Sequence, residues 1–160
     1  MSAIKDYRIL CCREQWQGGL FCHTVCEGDA LCLPLPNHVG VYCLPPIDSG
    51  EKGFSWSRLI VDADLPQDCG LRIYVHCADD PEWPAWDALK EASAADEANP
   101  VDLVRSQYGP AVSPGTDCWL TVSGRYLWVA LELTATGGSA PTVHALRLRM
   151  HGDHMLDYLP

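Results

Sequence analysis

Hydrophobic and polar residues alternate with a period of two along much of the chain, the spacing that turns one face of a β-strand into a core and the other away from it. In residues 71–77, LRIYVHC, Leu71, Ile73, Val75 and Cys77 share one face, and Arg72, Tyr74 and His76 share the other. In 126–133, YLWVALEL, Leu127, Val129, Leu131 and Leu133 oppose Tyr126, Trp128, Ala130 and Glu132. Residues 57–63 place Leu59, Val61 and Ala63 inward, and 38–43 set Val39, Val41 and Cys43 on one side. In 144–150, Leu146, Leu148 and Met150 oppose Arg147 and Arg149. Their phase slips against Val143 and Ala145, which predicts a bulge or a later strand start. Clusters of Pro, Gly, Asp and Ser at 45–53, 65–70, 113–117 and 136–141 separate these runs as turns. Many short strands punctuated in this way predict an all-β chain: one antiparallel β-sandwich over residues 1–160, of jelly-roll or galactose-binding-like form.

One stretch breaks the pattern. DPEWPAWDALKEASAADEAN, from Asp80, is rich in Ala and Glu, with an acidic start and prolines in its first turn. It predicts one short helix over about 84–95 within an insertion at about 81–98.

Five of the nine cysteines fall in residues 9–32, ILCCREQWQGGLFCHTVCEGDALC. Leu, Phe, Thr and Val in LFCHTVC favour a strand, so Cys22 and Cys26 share a face at a separation of roughly 13 Å. Two thiolates on one zinc each sit about 2.3 Å from it, so a strand excludes that chelate unless it is sharply bent. Cys11 and Cys12, adjacent in sequence, point to opposite faces of a strand. The stretch therefore reads as two early strands in which sulfur side chains fill space. No charged start followed by an apolar run opens the sequence, and the odd cysteine count then points to reduced thiols in a cytosol.

With 21 acidic and 11 basic residues the chain carries a formal charge of −10, which disfavours nucleic acid as a partner. No apolar run approaches the roughly 20 residues of a membrane-spanning helix. His151 and His154, with Asp153 or Asp157, have the residue types of a metal site but no third ligand at a diagnostic spacing, and read as a solvated tail. No nucleophile elbow, phosphate-binding loop, dinucleotide fingerprint or zinc-protease motif is present, and the acid pairs Asp62/Asp64 and Asp79/Asp80 read as strand ends facing water. The reading is non-enzymatic, with no cofactor and no metal.

Trp83, Trp86 and Trp119 lie near predicted loops or on an outward strand face, where an indole can stack on a sugar or fill a partner's pocket. Tyr126 and Trp128 project from the face of their strand opposite the aliphatic row. Two outward aromatics require a cover, which either the insertion or a neighbouring subunit could supply. These five residues are the candidates for partner or glycan binding.

Three segments taken together carry a resemblance: VYCLPPIDSGEKGFSWSRLIVDADLP at 41–66, GRYLWVALELTATGGSAPTVHALRLRM at 124–150, and the closing LDYLP. They resemble the tail-protein domain of phage tail-like contractile injection systems, in which a DSG turn precedes a W-x-R strand, a GRYLW strand follows a variable insertion, and a YLP motif closes the unit. Here those positions are Asp48, Ser49 and Gly50, then Trp56 and Arg58, then Gly124 and Arg125. The resemblance implies a β-sandwich component of a baseplate or tail tip that is structural and not catalytic. Its implied partners are other tail or baseplate proteins, and its implied location is the cytoplasm before assembly and the particle afterwards. Members of that family run on past the YLP motif, which implies a domain excised from a longer tail protein. The alternative function is a carbohydrate-binding β-sandwich module using Trp83, Trp86 and outward strand aromatics.

Overall fold

The computed structural model describes residues 7–34, 38–95, 100–109 and 116–149. In chain order these form β1 (Tyr7–Leu10), α1 (Arg13–Trp16), β2 (Leu20–Cys22), β3 (Val25–Glu27), β4 (Ala30–Cys32), β5 (Val39–Cys43), β6 (Ile47–Asp48) and β7 (Arg58–Asp64). There follow β8 (Cys69–Ala78), α2 (Pro84–Ala95), α3 (Pro100–Gln107), β9 (Asp117–Trp119), β10 (Tyr126–Ala135) and β11 (Thr142–Arg149).

The alternation in YLWVALEL becomes the spine of one sheet. β10 pairs antiparallel with β8 along its whole length, placing Leu131 beside Ile73 and Glu132 beside Arg72. Its other edge carries β5 and β6, and β2 pairs with β5 beyond them. In the second sheet β11 lies between β7 on one side and β1 and β4 on the other, with β3 and β9 at the edges. Its register shifts between Val143 and Ala145, where the phase slip in the sequence predicts a bulge. The two antiparallel sheets face each other as a β-sandwich.

Leu127, Val129, Leu131 and Leu133 of β10 and Leu71, Ile73 and Val75 of β8 fill the space between the sheets, against Leu59, Val61, Leu146 and Leu148. A second core lies on the opposite face of the β10 sheet. There Val41, Cys43, Tyr74, Trp128 and Ala130 meet Leu89 of α2 and Val101, Val104 and Tyr108 from α3 and its end. The molecule is thus three layers deep: a helical layer, an inner sheet buried on both faces, and an outer sheet with one face in solvent.

This layering corrects four expectations. The insertion carries two helices, because Pro100 opens α3 at a position where its missing N–H is harmless, and Val101, Val104 and Tyr108 form a short apolar stripe. Glu132, on the strand face that the alternation turns away from the core, is itself buried, since α3 lies over it. The opening stretch holds more than two strands and includes a helix, α1, whose Trp16 is buried and donates from Nε1 to the Asp29 carbonyl at 2.9 Å; Cys11 and Cys12 precede it outside any strand. Finally, LFCHTVC is not one strand. It bends at His23, φ 60°, so that β2 joins the inner sheet and β3 the outer one, with the buried Thr24 hydroxyl donating to the Val41 carbonyl at 3.0 Å. His is among the few residues that tolerate this left-handed conformation. Met150, His151, Asp153, His154, Asp157 and the closing LDYLP lie outside the described residues.

Candidate functional site

The five aromatic candidates separate into an internal group and one exposed ring. Trp128 has no exposed surface. Trp83 packs over it with ring centroids 5.2 Å apart, and also stacks on His76 at 3.8 Å with planes 7° from parallel. Burial holds the His76 imidazole below its ordinary pKa. The insertion therefore covers Trp128, and no ring face there is left for a partner. Tyr126 is half-buried beneath the Arg125 guanidinium, 5.2 Å from the ring centre. Trp86 is half-buried on α2, with the Lys90 ammonium 6.0 Å from its ring.

Trp119 differs from all of these at 65% exposure. It ends β9, the edge strand of the outer sheet, on the face turned away from the core, while its neighbours Cys118 and Leu120 point inward and are buried. Arg58 stands opposite it on β7 and lays its guanidinium 4.8 Å from the ring centre. Asp117 fixes that guanidinium through a two-pronged contact, accepting from Arg58 Nε at 3.0 Å and Nη2 at 2.8 Å. These hydrogen bonds, the largest influence, and the Arg58 charge hold the Asp117 carboxyl below its ordinary pKa. One side of the indole is thus braced by a locked Arg–carboxylate pair, and the exposure leaves its other side to solvent. The same sheet face continues through the half-buried Ile60 and the exposed Arg147 to the half-buried Arg149. Farther along lies a His144–Asp64 contact of 2.8 Å. Sequence reasoning missed Asp117, Arg147 and Arg149 as members of this face. The outward position of the two arginines is visible in HALRLRM, but the pairing of β7 with β9, in which Arg58 meets Asp117 59 residues downstream, leaves no local signal.

Of the residues that carry the tail-protein resemblance, Asp48, Ser49, Gly50, Trp56, Gly124 and Arg125 meet at one end of the sandwich, whereas Arg58 lies beside Trp119. Asp48 accepts from Arg125 Nε at 2.7 Å and Nη2 at 3.0 Å, and from the Gly50 amide at 2.7 Å, closing a turn in which Gly50 takes φ 83°. Ser49 donates from its hydroxyl to the Arg125 carbonyl at 2.8 Å. Asp79 accepts from the Gly53 amide at 2.8 Å and the Arg125 amide at 2.9 Å. Trp56, almost fully buried, donates from Nε1 to the Gly124 carbonyl at 2.8 Å. Gly124 sits at φ 152° where a Cβ would lie 2.8 Å from the Ala78 nitrogen, so glycine is required. These groups spend their hydrogen bonds on one another and join three loops.

Cys22, Cys32, Cys43 and Cys118 are buried, and Cys12, Cys26, Cys69 and Cys77 half-buried, as small apolar side chains. Burial pushes the Cys77 thiol up to about 11 and that of Cys43 higher still. The bend at His23 places Cys22 and Cys26 in different sheets, and among the described residues no three His, Cys, Asp or Glu side chains are grouped to hold a metal ion. Asp62, Asp64, Asp79 and Asp80 are all exposed. No described helix is long and apolar enough to cross a membrane. A shallow cleft of about 270 Å³ near the end of β1 is lined mainly by Leu10, Leu44, Pro45, Pro46 and Ile47 and brings together no acid–base pair.

No protein-family model matches the chain, and no curated protein matches it. Among solved structures it is similar in shape to a low-affinity xylan-binding module, CBM86, from Roseburia intestinalis, with TM-score 0.47 and 9% identity over 91% of this chain and 96% of that one. It is also similar to CBM35 from Paenibacillus barcinonensis, with TM-score 0.45 and 10% identity over 88% and 94% of the two chains. A third likeness, at TM-score 0.39 and 7% identity, covers 91% of this chain and 20% of the insecticidal crystal protein Cry2Aa. These are likenesses of shape, and they carry no ligand across to this chain.

Proposed function

We propose that this protein is a non-catalytic binding module that holds a carbohydrate chain on the exposed face of its outer sheet, with Trp119 as the stacking platform. The observation that carries this reading is the contrast between Trp119, 65% exposed and braced by Arg58, and Trp128, which is fully buried beneath the insertion. An exposed indole on a flat sheet face leaves apolar area in water that the C–H face of a sugar ring can cover, while the flanking Arg58–Asp117 pair and Arg147 offer polar groups to its hydroxyls. Trp83 and Trp86, named for this role from the sequence, are replaced by Trp119. The test is affinity electrophoresis on gels containing a panel of soluble polysaccharides. At least one polymer should retard the protein, and Trp119→Ala should abolish that retardation while Trp86→Ala leaves it unchanged. A polymer-independent mobility, or retardation that survives Trp119→Ala, contradicts the reading.

A structural role in a phage tail-like particle is the second proposal. The observation in its favour is that the DSG turn, the tryptophan of W-x-R and the start of GRYLW converge on shared contacts, Asp48 with Arg125 and Trp56 with Gly124. Such convergence supports a common structural unit for the motif-bearing segments. Co-purification of the protein with sheath and tube proteins from its native source would favour this role over glycan binding.

A further inference from the structure

We propose that the face around Trp119 selects uncharged polysaccharides against those bearing carboxylates; this rests on the carbohydrate-binding reading above. The outward positions of β9, β7 and β11 carry three arginines and three aspartates, which sum to no net charge. These charges are balanced within the face. Arg58 holds Asp117 through bonds of 3.0 and 2.8 Å. Arg147 lies opposite Ile60, which makes the exposed Asp62 its diagonal outward neighbour, at the roughly 7–8 Å Cα spacing that a long side chain spans. Arg149 is half-buried and has a partner of its own. Asp64, the third aspartate, meets His144 at 2.8 Å.

A balanced ion pair suits a hydroxyl better than a carboxylate. Asp117 takes Nε and Nη2 of Arg58, which leaves further N–H donors on the guanidinium and open lone pairs on the carboxylate. A sugar hydroxyl both donates and accepts, so it can use both ends of such a pair. A ligand carboxylate only accepts. To reach the arginine N–H groups it has to lie beside Asp117 or Asp62, where like charges repel. The chain as a whole adds to that repulsion, since at −10 it opposes a polyanion that comes within a Debye length, about 10 Å at 0.1 M salt. The two apolar contacts the face offers, Trp119 and the half-buried Ile60 opposite Asp117, involve no net charge. Binding that rests on them is therefore indifferent to salt.

The experiment measures binding of wild type, Asp62→Asn and Trp119→Ala to hydroxyethyl and carboxymethyl derivatives of cellulose, dextran, xylan and galactan. The two substituents are similar in size and differ in charge. For any backbone that binds, wild type should hold the hydroxyethyl form about tenfold more tightly than the carboxymethyl form at low salt. Affinity for the hydroxyethyl form should not change with salt, whereas that for the carboxymethyl form should rise as screening removes the repulsion. Asp62→Asn, a change at an exposed position, should narrow the gap several-fold by strengthening only the carboxymethyl form. Trp119→Ala should abolish binding of the hydroxyethyl form. Equal or tighter binding of the carboxymethyl form by wild type, lost with Trp119→Ala, overturns the selection and leaves carbohydrate binding standing. A gap that Asp62→Asn does not change also overturns it, because the charges of this face would then not be what discriminates. Absence of binding to every polymer, or hydroxyethyl binding indifferent to Trp119→Ala, removes the underlying reading and this inference with it.

Discussion

Arg105 on α3 grips Glu132 on β10 with two parallel hydrogen bonds, Nε and Nη2 each 2.9 Å from a carboxylate oxygen, and Tyr74 donates to the same carboxylate at 3.0 Å. Glu132 is 1% exposed, so α3 is fixed to the inner sheet by a buried anion whose cation reaches it from solvent. Burial alone would raise the Glu132 pKa; the Arg105 and Tyr74 hydrogen bonds and the Arg105 charge outweigh it and hold it below the ordinary value.

The first prediction follows from the sign of that balance. In the native protein the folded pKa lies below the unfolded one, so this stabilisation is present above about pH 4.3 and is lost as pH falls toward the folded value. Arg105→Met strands the buried carboxylate and should cost about 3 kcal/mol at pH 7, the low end for breaking a buried pair because Arg105 is half in solvent. In that variant the Glu132 pKa rises above its unfolded value, so stability is full in acid and lost as pH rises. Urea denaturation should therefore show the gap between wild type and variant narrowing from pH 7 to pH 4.5. A gap that does not change with pH contradicts the account.

How much of this was legible in the sequence depends on what each residue depends on. Leu127, Val129, Leu131 and Leu133 were assigned to the core by period alone, because a strand face is a local property and the sandwich needed nothing more. The state of Glu132 on the other face was not local. It depends on Arg105, 27 residues upstream on a helix of eight residues whose apolar stripe is only two turns long. The bend in LFCHTVC was hidden for a similar reason: a single left-handed residue, His23, redirects the chain without disturbing the composition on either side. The candidate face shows both limits, since Trp119 was identified as an aromatic near the surface while its partners Asp117 and Arg58 met it only through tertiary pairing.

Substitutions on β10 test the two cores separately. Leu131→Ala, between the sheets and fully buried, should cost about 2–5 kcal/mol through lost transfer and cavity terms. Trp128→Ala, beneath Trp83, should cost about 3–5 kcal/mol in the isolated protein, because its cover is internal. Chemical denaturation of the purified protein reads both. Full tolerance of Trp128→Ala would mean that Trp83 does not seal this face.

His76 gives a second pH dependence. Its imidazole, stacked on Trp83, is held below the ordinary pKa by burial, so the fold favours the neutral ring. A depressed folded pKa gives stability that is present above the unfolded value, about 6.5, and is lost as pH falls toward the folded one. The melting temperature should decline across that window, and His76→Phe should flatten the decline. An unchanged slope in the variant would assign the effect to another group.

The cysteines should divide by burial. At pH 8 a thiol reagent should modify the exposed Cys11 rapidly, whereas Cys22, Cys32, Cys43 and Cys118 should react only on the timescale of unfolding. Peptide mapping of the labelled protein reads the order. Fast modification of Cys43, whose thiol burial holds well above its ordinary pKa, would show that the helical layer does not cover the inner sheet.

The central claim is that Trp119 is exposed for a ligand and not for the fold, and calorimetric titration of wild type and Trp119→Ala with a polysaccharide that retards the wild type tests it most directly. The account expects saturable binding by the wild type and none by Trp119→Ala, with the stability of the two proteins within about 0.5 kcal/mol because the ring is 65% exposed. Undiminished binding by Trp119→Ala, or a variant that loses binding only because it no longer folds, would contradict it.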